Sequence, residues 1–159
     1  VNKSTLAATG LAVAVAAGSG SIASAKAVPA WYARLRKPPY QPPNAAFPVA
    51  WTTLYGDIAV TSAVAIDRFR AAGQHDRARR YAAALGVNLI LNAGWSWLFF
   101  RFHKLGASAI GAGLLAASSA DLTRRTAQAD PRAALAQSAY PIWCSFATIL
   151  ATHVWRLNR

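Results

Sequence analysis

Five stretches of the chain carry almost no charge, and they limit its fold more than any other feature. They run over residues 4–25, 47–66, 81–100, 105–120 and 133–155, and the second is broken once, by Asp57. Four of the five hold at least 20 residues, the length a helix needs to cross a hydrocarbon layer about 30 Å thick. The fourth, of 16 residues, must extend through Asp121 to do so. A soluble bundle needs a polar face on each helix, and these stretches lack one. The expected fold is an all-α membrane protein in one domain, a five-transmembrane-helix bundle. Its helices are expected at about 4–25, 47–67, 81–101, 105–122 and 133–156.

Seventeen Lys and Arg against five acidic residues give a net charge of +12. The basic residues stand almost wholly between the apolar stretches, where long cationic side chains reach lipid headgroups. That distribution argues against a nucleic-acid partner. In a five-span arrangement the two sides hold nine and eight basic residues, so charge bias assigns no orientation. The first stretch also resembles a secretory signal, with Lys3, an apolar run and the small residues Ala23, Ser24 and Ala25. Cleavage there would leave four spans and a start near Lys26. The uncharged run of 22, with Gly10, Gly18 and Gly20, favours its retention as a close-packing span.

Between the first two stretches lies WYARLRKPPYQPPNAAFP. Pro38, Pro39, Pro42 and Pro43 each lack an N–H and push the preceding residue out of the α region. A stiff, non-helical, aromatic loop is expected over 31–46, and composition alone allows it to be a plain linker. In the second helix Trp51 and Tyr55 share a face at i, i+4, as pocket residues or as an interfacial aromatic belt. Asp57 sits near mid-span without a basic partner in the stretches; it is either a proton or substrate group or a hydrogen-bonded structural one. Asn88, Asn92 and Trp95 of the third helix could meet a polar ligand edge or bond neighbouring helices. Ala82, Gly86, Ile90 and Gly94 form a mostly small stripe on its other side, a helix-packing or dimer face. In the fifth helix Trp143, Ala147 and Leu150 fall on one continuous face, and Pro141 is expected to kink it.

Conventional catalytic signals are missing. The single Cys144 excludes an internal disulfide, and His75, His103 and His153 have no metal-ligand spacing. No metal site and no obligatory cofactor are expected. Six tryptophans with a few amides suit a large, planar, apolar ligand.

WYARLRKPPYQPP, FPVAWTTLY, LNAGWSWLFF, AYPIWCSFATIL and a terminal WRLN follow one another from Trp31 to Asn158. In this order they resemble the TspO/MBR family, the tryptophan-rich sensory proteins of bacteria and their mitochondrial translocator (peripheral-type benzodiazepine receptor) relatives. The resemblance implies a five-helix membrane bundle, often a homodimer, with a pocket capped by the proline-rich loop. It implies a tetrapyrrole ligand, protoporphyrin IX or haem; some members also bind sterols or synthetic isoquinoline or benzodiazepine-type compounds. Carried over by position, the ligand-binding set is Trp51 and Tyr55, Asn92 and Trp95, and Trp143, Ala147 and Leu150. Trp31, Tyr40, Pro42, Pro43 and Phe47 lie in or beneath the lid. Tyr40 stands where the family usually has Trp, and Ala139 and Ala151 replace the usual Pro and Asn. Thr152 takes the place of the tyrosine in the sterol-recognition segment.

The function expected is that of a tetrapyrrole-binding sensor, regulator or carrier in a bacterial cell envelope, in contact with lipid. The alternative is an enzyme that degrades porphyrin with light and oxygen, with Trp51 and Trp143 as its redox-active candidates. A sterol- or lipid-binding protein is the further alternative.

Overall fold

The structure, a computed structural model, describes residues 1–25, 27, 28 and 30–159. Lys26, the start expected if the first segment were removed, lies outside the described residues. The regular elements among the described residues are all helical, with no strand. The elements are α1 (Lys3–Ser24), a 3-10 turn (Tyr32–Arg34), α2 (Ala46–Ala71), α3 (His75–Ser96), a π-helical turn (Trp97–Arg101), α4 (Leu105–Ala129), α5 (Pro131–Gln137) and α6 (Ala139–Asn158). Helix α1 packs on α2 and α3, α3 on α4, and α4 on α6, while α5 bridges α2 and α4.

The bundle buries several polar side chains in its apolar core and leaves large apolar ones exposed. Ser62, Asn88, Ser108, Ser119, Thr126 and Gln137 are fully buried, whereas Ile22, Ile90, Ile110, Ile142 and Ile149 are each at least 63% exposed. Buried polar groups need partners, and here they find one another. At the lidless end Tyr81 Oη bonds Ser62 Oγ (3.1 Å) and Thr126 Oγ1 (2.8 Å). Gln137 accepts from Thr126 Oγ1 (2.8 Å) and donates to Thr61 Oγ1 (2.9 Å). One polar knot thus ties α2, α3, α4 and α5 together.

Four helices, α1, α2, α3 with its π turn, and α4, are long and apolar enough to cross a membrane. The fifth expected span is not among them, and it is not one helix. It divides at Ser138 into α5 and α6. Pro141 does not kink a helix interior, as the sequence suggested; it lies in the first turn of α6. It has no N–H for the Gln137 carbonyl, so the ladder breaks one turn earlier. Asp130 starts α5 by accepting from the backbone N–H of Arg132 (2.9 Å) and Ala133 (3.3 Å), with Pro131 at the first helical position.

Three helices outrun their expected limits. Helix α2 continues to Ala71, α3 begins at His75 and α4 continues to Ala129. The arginines expected in loops therefore stand on helical extensions. Asp121 holds Arg124 Nη2 at 2.7 Å and Arg125 Nε at 2.8 Å, so the charge rides on α4 instead of ending it. Only 72–74 separate α2 from α3, and Gly73 makes that turn at φ +74°, in the left-handed region that glycine enters freely.

Candidate functional site

A cavity of about 320 Å³ lies in the half of the bundle beneath the proline-rich loop. Its size falls at the small end of ligand pockets. Phe47, Trp51, Tyr55, Asn92, Trp95, Trp143, Ala147 and Leu150 line it. Helical spacing explains these faces: Trp51 and Tyr55 stack at 5.7 Å, and Trp143, Ala147 and Leu150 repeat at i, i+4, i+7 on α6. Trp51 meets Trp143 edge-on at 6.4 Å, and Phe47 meets Trp143 at 5.9 Å. Such edge-to-face pairs fix ring positions as well as filling space.

The remaining expected site residues do not line the cavity. Trp31 stacks on His103, ring centroids 4.0 Å apart and nearly parallel. Tyr40 is exposed and shares a 3.0 Å hydrogen bond with His153 Nδ1. Pro42 and Pro43 stiffen the chain just before Asn44, a loop residue that does reach the cavity. The loop is therefore a fastened cover, with its aromatics turned to anchors on the α3–α4 and α6 ends.

Other wall residues come from outside the expected set. Helix α1 contributes Ala17, Gly20, Ser21 and Ser24, which recur at i, i+3, i+4 and i+7. Tyr32 enters from the 3-10 turn; burial pushes its phenol above the ordinary tyrosine range, partly offset by the bond from Gln41 Nε2. Phe99 and Phe100 arrive through the π turn, a wide helical turn often found at functional sites. Phe99 stacks on Trp95 at 5.2 Å and touches Phe100 edge-on at 4.9 Å. His103, just beyond, holds φ +56°, a strained value for a non-glycine residue kept in place by the Trp31 stack.

The polar groups at the cavity floor are mostly engaged. Tyr55 Oη donates to Asn92 Oδ1 and Asn92 Nδ2 donates to Tyr140 Oη, each at 3.0 Å. Tyr140 Oη donates onward to Asn88 Oδ1 at 2.8 Å, and Asn88 reaches Ser118 and Ser119. Trp95 Nε1 donates to the Ser108 carbonyl at 3.0 Å. These amides join neighbouring helices, and Asn92 also lines the cavity. Trp143 Nε1 differs: it is buried and has no acceptor among the described residues. Asp57, half-buried on α2, has no hydrogen bond or ion pair to its carboxylate among the described residues.

The two ends of the bundle differ in charge. Of the five Asp, Asp67, Asp76, Asp121 and Asp130 lie at the end away from the loop, and Asp57 is mid-helix. At the loop end the described residues supply Arg34, Arg36, Lys37, Arg101, Lys104, Arg156 and Arg159 and no carboxylate side chain.

Comparison with known proteins agrees with the motif order. Residues 8–156 match the TspO/MBR family. Protein CrtK of Rhodobacter capsulatus is 33% identical over 151 residues, covering 93% of this chain and 89% of that protein. The human translocator protein is 30% identical over 128 residues, 80% of this chain and 75% of the relative. The tryptophan-rich sensory protein of Cereibacter sphaeroides is also 30% identical, over 80% of this chain and 77% of its own. Matched over residues 8–156 and similar to these relatives, this multi-pass membrane protein belongs to the TspO/MBR family.

Proposed function

We propose that the protein crosses a bacterial envelope membrane five times and binds a tetrapyrrole, protoporphyrin IX or haem, as a sensor, regulator or carrier. One observation carries the reading: the aromatic walls lie in the half of the bundle whose end is basic and has no carboxylate side chain among the described residues. A porphyrin is a flat apolar ring with carboxylates on one edge. Phe47, Trp51, Trp95, Phe99 and Trp143 offer surfaces for the ring, and the arginines and lysines of the loop end attract its acidic edge. Trp143 Nε1 offers the ligand an unused donor. Helix α6 completes the fifth span by packing along α4, with Ile142 and Ile149 facing lipid. A second copy joins through the outward stripe Ala82, Gly86, Ile90 and Gly94.

The test is titration with protoporphyrin IX in lipid nanodiscs, in the dark and then under light. Saturable quenching of tryptophan fluorescence, lost in Trp143→Ala, is the expected result. Absence of saturable binding overturns the reading in favour of a sterol or lipid in the cavity. The edge-to-face contact of Trp51 and Trp143 is what favours the enzymatic reading. Light-driven loss of bound porphyrin that stops in the Trp51→Phe/Trp143→Phe protein while binding persists would establish it. Equal bleaching by that variant and by empty detergent would exclude it.

A further inference from the structure

A second, smaller cavity of about 180 Å³ lies at the opposite end, lined by Phe69, Arg77, Arg80, Tyr81, Arg125 and Gln128. Its floor is apolar: Phe69 and Tyr81 are buried with ring centroids 6.3 Å apart, and the Tyr81 hydroxyl belongs to the interior knot. Its rim is cationic. We propose that this cleft between the start of α3 and the end of α4 binds the phosphate of an anionic phospholipid headgroup.

The distribution of ion pairs supports the assignment. Every carboxylate at this end is already engaged, and among the three cleft arginines only Arg125 meets one. Asp67 accepts from Asn2 N (2.6 Å) and Thr5 Oγ1 (2.7 Å). Asp76 holds Arg79, Asp130 holds Arg68 and caps α5, and Asp121 holds Arg124 and Arg125. Arg77 and Arg80 have no ion pair among the described residues, and Arg125 is held only through Nε. Three arginines thus line one small cavity, and the one carboxylate paired with any of them, Asp121, is shared with Arg124. Guanidinium is planar, permanently charged and suited to bidentate contact with phosphate oxygens.

Depth selects the source of that phosphate. The apolar stretch of α3 begins at Tyr81, directly after Arg80, and that of α4 ends at Ala120, little more than one turn before Arg125. The cleft therefore sits at the level of headgroups, where basic pockets between helices hold anionic lipid. Phosphate from solution has the same chemistry and needs no such depth.

Two probes separate the sources. The first is native mass spectrometry of the full chain released from mixed phosphatidylcholine and phosphatidylglycerol nanodiscs. The second is inorganic phosphate added to protein in pure phosphatidylcholine nanodiscs and followed by phosphorus NMR. Wild type should retain phosphatidylglycerol preferentially, and Arg77→Gln/Arg80→Gln should lower that preference roughly thirtyfold. Arg79→Gln/Arg132→Gln removes the same charge from the same end outside the cleft and should keep the preference, with circular dichroism unchanged in both. Equal loss in the two double variants, or no preference in wild type, overturns the proposal. Binding of inorganic phosphate that depends on Arg77 and Arg80 without any lipid preference overturns the lipid source.

Discussion

Asn158 clamps Arg36 from both sides. The Arg36 backbone N–H donates to Asn158 Oδ1 at 2.9 Å, and Asn158 Nδ2 donates to the Arg36 carbonyl at 2.8 Å. The last turn of α6 thereby holds the loop over the cavity, together with Tyr40 on His153 and Trp31 on His103. Asn158→Ala should release one of these three anchors. Each hydrogen bond contributes about 1 kcal/mol net, so amide exchange across 31–45 should quicken about tenfold or somewhat more. Exchange unchanged in that segment would show that the other two anchors suffice.

Asn92 is the hinge of the floor network, accepting from Tyr55 and donating to Tyr140. Asn92→Leu leaves the Tyr55 hydroxyl without its acceptor and should destabilise the protein by about 1–3 kcal/mol. Tyr55→Phe, which removes the donor and leaves only the Asn92 carbonyl oxygen unpaired, should cost about 1 kcal/mol. Unfolding in mixed micelles reads both, and the order Asn92→Leu below Tyr55→Phe below wild type is expected.

Trp143→Phe should separate stability from ligand binding. The indole N–H is buried without an acceptor, a condition that costs about 1–3 kcal/mol; its removal offsets some of the volume lost. The unliganded variant should therefore melt within a few degrees of wild type. Porphyrin affinity should fall in the same protein. A large loss of stability with affinity intact would show that the N–H serves the fold.

Gly106 lies against Trp155, and a Cβ there would sit 3.1 Å from Nε1 and 3.5 Å from Cε2. The indole is a rigid plate that must move as a whole. Gly106→Ala should cost about 1–3 kcal/mol by overpacking and shift the fluorescence of Trp155. Unchanged melting and emission would mean that the α4–α6 contact gives way freely.

Gly86 and Gly94 face open space, with no atom within 4 Å of an added Cβ. Gly86→Leu/Gly94→Leu should leave the single chain folded and abolish crosslinked dimers in lipid, because bulk on a small-residue stripe separates helices. Persistent dimers would place the contact on another face.

Much of the cavity is legible in sequence because large aromatics at helical spacing have few places to go. Trp51 with Tyr55, and Trp143 with Ala147 and Leu150, need only the 3.6-residue period to be grouped. The α1 wall is harder to read: Ala17, Gly20, Ser21 and Ser24 differ little from the small residues around that helix. The ends of α2, α3 and α4 are hidden for another reason. A charged residue marks where the hydrocarbon stops, whereas the helix continues as long as its backbone bonds are met. Trp31 and Tyr40 pair with rings nearer than the cavity, on His103 and His153, which their spacing in sequence does not show. Phe99 and Phe100 are invisible to periodicity, since the π turn changes the period beneath them.

That wide turn has a genetic corollary. Each residue advances an α-helix by 100°, so the turn at Trp97–Arg101 behaves as one codon held in surplus. Loss of a single codon there would let the backbone relax to an ordinary helix and swing Phe99, Phe100 and His103 around the axis. Trp31 would lose its stacking partner and Trp95 its neighbour in one event. Along this segment the reading frame of the helix, more than the identity of any one residue, keeps the cover and the aromatic wall in register.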